Sequence, residues 1–456
     1  QPFAKRNVAM SRVIKIKKGK DINLVGSAQK STSDKTVSSS FAVKPTDFKN
    51  LIPKMVVKAG AEVKAGDVLF HDKTDDRVKF TAPVSGEVAE VVRGARRAIQ
   101  EVRILADKEI SYKSFDVPSS LTADSVKELL LESGLWTYIV QRPFGIVANP
   151  DVTPKAIHIS CFDSAPLAAD LSYALDGEAE AFAKGVEALK QLTSGKIHLN
   201  VNSKDSNPSF ISKVQGAEVT QFNGPHPAGL VGVQIHHIDP INKGEHVWTV
   251  NPQHVVFIGR LFLTGQLDKS QKVALAGSDL ANPQYTSTIS GTNMAALLEG
   301  NVKSDNARII SGNVLTGNTI GTDGYLGHFD TMVSVIPEGD EYEFLGWLFP
   351  SYARPTISNS LPLSKFVKKE FVANTNIHGE ERAFVVTGQY EKVLPMDIYP
   401  VYLLKAILAQ DLEAMENLGI YEVIEEDMAL CEFVCTSKIN VQSILNDGLT
   451  LMEEEG

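Results

Sequence analysis

Apolar and polar residues alternate at Val13-Ile14-Lys15-Ile16-Lys17, the two-residue period of a half-buried strand. Residues 27–40 are polar and rich in Ser and Thr, and read as a loop. From Met55 to Val92, short apolar runs are cut by Gly and Pro about every 8–12 residues, the mark of a small sandwich or barrel. Beyond Ser119 the period lengthens. A short amphipathic helix is expected from Asp124 to Ser133, with Val126, Leu129 and Leu130 on one side. Strands are expected at residues 156–162, 196–201 and 218–222. Between them lie a long helical stretch at 165–192, bent near Gly177 and stopped at Gly195, and a short helix at 210–214. Strand, helix, strand, helix, strand implies a parallel α/β sheet with right-handed crossovers. Residues 255–315 form a compact mixed unit, with strands at 273–277 and 307–312 around a helix at 292–298. Apolar runs at 344–349 and 383–387 lead into a helical tail at 401–452. There is no internal repeat and no low-complexity segment.

With 456 residues, about three domains are expected at roughly 100–200 residues each. Apolar residues at 43% and charged residues at 22% suit a chain that buries a full core. The formal net charge of -10 argues against a nucleic-acid partner, which needs clustered Lys and Arg. Arg93, Arg96 and Arg97 make only a small basic patch. No apolar run reaches the roughly 18–20 residues that span a bilayer, and the stretch at 400–409 is broken by Lys405. Three cysteines do not build a disulfide framework, and no secretory signal opens the chain. The expected location is intracellular and reduced, with any membrane association made through a partner. Residues 1–9 read as an expression remnant ahead of a natural start at Met10.

The segment from Val57 to Val88 carries a V-x-x-G … G-D-x-L-F … A-P-V-x-G-x-V pattern that resembles biotinyl and lipoyl carrier domains. Lys73, between Asp72 and Thr74, stands where a carrier lysine would be sought, but nine positions before Ala82-Pro83 is too long a spacing. A solvated turn residue is the expected reading. No G-x-G-x-x-G and no Walker loop is present, so the α/β domain lacks the usual phosphate cradle of a flavin or NAD site. The three glycines at 321–327 have the wrong spacing and read as a turn. The histidines from His226 to His254, including His236 and His237, match no zinc spacing and are expected to be hydrogen-bonded structural residues or part of a binding surface. No nucleophile elbow appears. Cys431 and Cys435 fall on one face of the helical tail, too few for an iron–sulfur cluster, and small buried hydrophobes are the default for free thiols. No catalytic residue, cofactor-binding residue or metal ligand is assigned.

An ordered series of segments resembles the family of A subunits of sodium-translocating NADH:quinone oxidoreductases. It includes Arg142-Pro143-Phe144, Asp163-Ser164-Ala165-Pro166, Gly224-Pro225-His226-Pro227-Ala228-Gly229, Ile258-Gly259-Arg260, Gly346-Trp347-Leu348-Phe349-Pro350, His378-Gly379-Glu380-Glu381-Arg382 and Glu425-Glu426-Asp427-Met428. Cys435-Thr436-Ser437-Lys438 departs from the family's Cys-Pro-Gly-Lys. The resemblance implies a multidomain α+β and α/β fold, similar to the flavin-binding subunit of respiratory complex I and to the C subunit of Rnf complexes. Its parts would be a lipoyl-like barrel-sandwich domain at 10–112, a Rossmann-like α/β domain at 113–255, a ligand-binding β-grasp (SLBB) domain at 256–330 and a C-terminal region at 331–456 ending in helices. The implied role is a peripheral subunit on the cytoplasmic side of the bacterial inner membrane, binding no cofactor of its own. Flavins and an iron centre are then expected on the partner subunits, and Cys431 and Cys435 are vestiges of a cluster region.

Such a complex couples NADH oxidation and quinone reduction to sodium export. A quinone slot needs apolar walls and one or two polar groups. Residues Gly224, Pro225, His226, Pro227 and Gly229 are the candidate quinone or partner contacts, with Leu230 as a further wall. The competing reading of this loop is a rigid turn at a domain interface. The competing function is a free-standing flavin- or NADH-binding oxidoreductase, which the missing phosphate loop opposes.

Overall fold

The computed structural model describes residues 12–33, 38–339, 341–342, 344 and 370–456. The expected remnant at 1–9 lies outside the described residues, as do Gly346-Trp347-Leu348-Phe349-Pro350 and the rest of the run after Phe344. The described strands fall into four sheets.

Two strands near the N-terminus leave their sequence neighbours. β1 (Val13–Lys15) and β2 (Gln29–Ser33) add to sheets formed much later in the chain. Residues 27–40 were expected to be a loop, and β2 corrects that. Its Ser- and Thr-rich run is an exposed edge strand whose ladder partner is supplied from elsewhere. The barrel-sandwich follows: β3 (Ser40–Val43), β4 (Pro53–Met55), β5 (Glu62–Val63), β6 (Val68–Asp72), β7 (Lys79–Thr81), β8 (Gly86–Arg93) and β9 (Ile99–Ala106). They form a four-stranded and a three-stranded sheet. Leu69, Phe70, Phe80, Val88 and Ile104 fill the space between, with Phe70 stacked on Phe80 at 4.7 Å. Lys73 is exposed in the turn after β6, its N–H donating to Ile52 O at 2.8 Å.

Helix α1 (Ala123–Ser133) opens the α/β domain. Thr122 and Ser125 cap its start reciprocally, and Gly134 ends it at φ 79, a conformation glycine adopts without strain. Next come β10 (Val140–Arg142), β11 (Ile146–Val147), β12 (Ala156–Ser160), α2 (Leu171–Ala174), α3 (Ala179–Lys190), β13 (Lys196–Asn202), β14 (Glu218–Asn223), α4 (Val231–Ile238), β15 (Val247–Thr249) and α5 (Pro252–Thr264). The single bent helix expected at 165–192 is two helices. Gly177 at φ 86 leaves the helical region outright, and residues 165–170 are not helical.

Sheet order is β1-β14-β13-β12-β15-β10-β11, with β1, β14, β13, β12 and β15 parallel. Ala156-Ile157-His158-Ile159 is a continuous buried run, as a parallel strand covered on both faces must be. The chain lays β12, β13 and β14 outward in one direction and then returns β15 to the other side of β12. That reversal places a crevice beyond the carboxyl ends of β12 and β15. Helices α3 and α5 pack closely: a Cβ on Gly259 would lie 1.6 Å from Ala181 O, and one on Gly185 2.2 Å from Val255 O. Helix α5 spans the expected boundary at 255/256 while packing mainly against α3 of the α/β domain.

The β-grasp domain holds β16 (Ser270–Ala276), β17 (Gln284–Ile289), α6 (Met294–Leu298), β18 (Ala307–Ser311), β19 (Asn318–Ile320) and β20 (Met332–Pro337). Its sheet order is β19-β18-β20-β16-β17-β2. Residues 383–387 form no regular element. The chain ends in α7 (Tyr390–Val393), α8 (Pro400–Leu408), α9 (Leu412–Asn417), α10 (Glu425–Val434) and α11 (Val441–Glu455). Val401, Leu404, Met428 and Leu445 share a core with Phe222 and Val233 of the α/β domain and Tyr285 of the β-grasp, so the tail is fused to both. No helix among the described residues is long and apolar enough to cross a membrane.

Candidate functional site

A cavity of about 480 Å³ opens at the switch point. Ser160 ends β12 and Phe162 and Asp163 follow it into the cavity, while Thr249 ends β15 and Val250 and Asn251 come after it. The first turns of α4 and α10 close one side through Leu230, Val231 and Ile424. The barrel domain contributes Phe48 and Lys49, and the β-grasp contributes Phe329.

The wall nearest α10 is ionic. Arg142 donates from Nη1 to Asp427 Oδ2 and from Nη2 to Glu426 Oε1, both at 2.6 Å. Asp427 Oδ2 also accepts from Ile424 N–H at 2.9 Å, capping its own helix. Lys49 Nζ reaches Glu425 Oε2 at 2.6 Å and Phe144 O at 3.0 Å. Three domains thus meet in one charge network. Partial withdrawal from water, with the Asp427 and Asp163 carboxylates nearby, raises the Glu426 carboxyl above the usual carboxylate range against the pull of Arg142.

Tyr138 and His254 add an aromatic part to the lining, and His328 and Lys269 pack against Tyr138. Tyr138 lies between His328, stacked at 3.9 Å, and His254 at 4.2 Å, and the Lys269 ammonium sits 5.3 Å from its ring centre. Burial lowers Lys269 to about 7. Burial, and secondarily Lys269, lowers His254 to about 3, so its ring is neutral. Burial raises Asp47 to about 6, opposed by Lys44 at 3.5 Å and the His328 N–H. His254 is 1% exposed, and neither of its ring nitrogens has a partner. Each buried polar atom left so costs about 1–3 kcal/mol.

The loop singled out in the sequence is divided by the fold. Gly229 and Leu230 line the cavity, whereas Gly224, Pro225, His226 and Pro227 are not among its lining residues. The latter residues meet the segment after β1. His226 N–H donates to Asp21 Oδ1 at 2.8 Å, Lys20 N–H donates to His226 O at 2.7 Å, and a Cβ on Gly224 would lie 2.4 Å from Ile16 O. Ser164 Oγ accepts from Gly229 N–H at 2.8 Å and shares a hydrogen bond with His226 Nδ1 at 3.0 Å. Burial lowers the His226 ring to about 4, keeping it neutral.

His236 and His237 tie α4 to the C-terminal region. His236 Nδ1 pairs with Glu422 Oε2 at 2.6 Å, and His237 Nε2 bonds Pro395 O at 2.9 Å. Cys431 lies on α10, while Cys435 is the residue that caps it. Both thiols are buried, and Tyr390 OH donates to Cys435 Sγ at 2.9 Å. Among the described residues, no group of three or more His, Cys, Asp or Glu is placed to hold a metal ion.

Sequence reading assigned no role to Arg142, Tyr138 or His254 in this cavity. Arg142 and Asp427 are 285 positions apart, and no local spacing joins them. The only available signal was that both stand in segments carrying the family resemblance.

Fold and site together define a multidomain protein of barrel-sandwich, α/β and β-grasp parts, closed by C-terminal helices around a switch-point cavity. Residues 14–107 match the family described as the NqrA N-terminal barrel-sandwich hybrid domain. Residues 121–267 match the NqrA second alpha/beta domain, and 272–321 the NQRA C-terminal domain. The chain is 39% identical over 449 residues to the A subunit of the Na(+)-translocating NADH-quinone reductase of Pasteurella multocida, covering 97% of this chain and 100% of that one. The A subunit of the Yersinia pseudotuberculosis reductase is also 39% identical over 451 residues, with the same coverage. That of Photorhabdus laumondii is 37% identical over 450 residues, again covering 97% and 100%. The chain belongs to the NqrA family, the A subunits of Na(+)-translocating NADH-quinone reductases. An NAD+-reducing NiFe hydrogenase in the air-oxidized state aligns over 74% of this chain and 62% of that one at 11% identity. Its TM-score of 0.37 is too slight to carry an argument.

Proposed function

We propose that this chain serves as a peripheral subunit of a membrane-bound complex that couples NADH oxidation and quinone reduction to Na+ export, and that quinone meets it in the switch-point cavity. The observation that carries the second half is the cavity itself. A quinone head is flat, apolar on both faces and carries two carbonyl acceptors, so it needs apolar walls with a few polar groups. Phe162, Leu230, Val250 and Phe329 supply walls, and Asn251 and His254 supply polar edges.

The first half is supported by the names of the relatives, each belonging to an NADH-quinone reductase. With no membrane-crossing helix among the described residues, attachment would come through membrane subunits, on their cytoplasmic side. In this reading the chain carries no redox centre, and the flavins and iron centre belong to its partners. Of the loop at 224–232, Gly229 and Leu230 touch the quinone, while His226 and the flanking prolines hold the loop in place.

The test is to purify the intact complex from membranes and irradiate it with a photoreactive short-chain quinone. Labelled peptides are then mapped by mass spectrometry. Labels on residues 140–147, 160–163 or 229–231 are expected. Labels confined to other subunits overturn the cavity reading, and failure of the chain to co-purify with membrane subunits overturns the subunit reading.

A further inference from the structure

We infer that His254 is the side chain that grips the ligand's ring oxygen, donating its one N–H to the carbonyl oxygen of the oxidised ligand and to the hydroxyl oxygen of the reduced one. The inference rests on the quinone reading above and adds a residue and a bonding pattern to it.

Three features of this imidazole converge. Among the described residues it is the only histidine with both ring nitrogens buried and unpartnered. It also lines the cavity. Its position is set from the backbone. Asn251 caps α5 by accepting from Gln253 N–H at 2.9 Å, and Pro252 starts the helix, so His254 follows within the first turn beyond the end of β15. The ring packs at a tilt on Tyr138 at 4.2 Å and on Phe257 at 5.4 Å. Both ring nitrogens are buried and have no partner among the described residues.

A neutral imidazole carries one donor and one acceptor, whereas an imidazolium carries two donors. Burial and the Lys269 ammonium keep this ring neutral, so it offers one of each. A hydroxyl oxygen accepts as a carbonyl oxygen does, so the single N–H serves both forms with no proton moved and no change of charge. Other orphaned buried histidine atoms differ: His158 Nε2, His198 Nδ1 and His246 Nδ1 belong to residues that do not line this cavity.

The experiment uses the full chain labelled with 15N-histidine and a water-soluble short-chain quinone, oxidised and then reduced with dithionite. Addition of either form is expected to shift both His254 nitrogen resonances. His254→Phe is expected to weaken binding of both forms about tenfold, the effect of losing one buried hydrogen bond. His254→Gln, which keeps a donor and an acceptor, is expected to recover most of that loss. Nitrogen shifts that do not respond while photolabelling still marks the cavity would overturn the inference and leave the quinone reading intact, with a bound water as the partner of His254. If neither binding nor cavity labelling is found, the quinone reading fails and the inference falls with it. The resonance measurement is made on the unaltered protein, so a misfolded variant does not blunt the test.

Discussion

Replacing Arg142 by Met should unlock the C-terminal helices from the rest of the molecule. Arg142 is 1% exposed and holds Asp427, also 1% exposed, with a second bond to Glu426. Methionine fills most of the arginine's volume but leaves a buried carboxylate without its cation. Removing one partner of a buried pair costs about 3–5 kcal/mol. The two bonds, charge-assisted at about 1.5–3 kcal/mol each, sum to a similar figure. The cost falls on the attachment of α10, so the assay is native-state hydrogen exchange of the α10 amides. Opening there should become roughly 10²- to 10⁴-fold more frequent. The double variant Arg142→Met/Asp427→Leu should recover much of the loss. The native pair is imperfectly satisfied, since Arg142 Nε and Asp427 Oδ1 have no partners, so an apolar pair competes well with it. Exchange in α10 within threefold of the native chain, or additive effects in the double-mutant cycle, would refute the reasoning.

Three further outcomes are expected. Gly229→Ala would place a methyl 2.5 Å from Ser164 N, shift the loop at the cavity rim and destabilise by about 1–3 kcal/mol in urea titration. Acidification should weaken the fold between pH 6.5 and 4, because the folded His226 ring titrates at about 4, below its unfolded value of 6.5. The unfolded chain binds more protons across that window, which removes about 2 kcal/mol at pH 5, and His226→Gln should flatten the difference between urea midpoints at pH 7 and pH 5. Gly259→Ala would bring Cβ to 1.6 Å from Ala181 O, prise α3 from α5 and lower the thermal midpoint, whereas alanine at the open Gly244 turn should strain only its own φ of 78.

The strands of the barrel-sandwich and the central strands β12, β13 and β14 were legible because their periodicity is local. Alternation, buried runs and Gly or Pro punctuation act over a few residues and do not depend on distant chain. Reading failed where a distant partner decides conformation. The Ser- and Thr-rich run at Gln29–Ser33 has no apolar period, yet it is a strand because β17 offers it a ladder. The stretch at 165–192 has the composition of one helix, but Gly177 at positive φ and the approach of residues 163–164 to the loop at 226–229 divide it.

At the site the division is sharper. Sequence alone determined the set of domains, the missing phosphate loop and, through ordered segments along the whole chain, the family. It also drew attention to the loop at 224–232, of which the fold brings only Gly229 and Leu230, among the residues named in advance, to the cavity. Tertiary structure alone decided that Arg142 meets Asp427, that His254 loses every partner, and that barrel, α/β, β-grasp and tail share one cavity. The physical reason is one of range. Secondary structure follows from sterics and periodicity between near neighbours, whereas a buried charge or an unpaired imidazole is defined by what packing brings from hundreds of residues away.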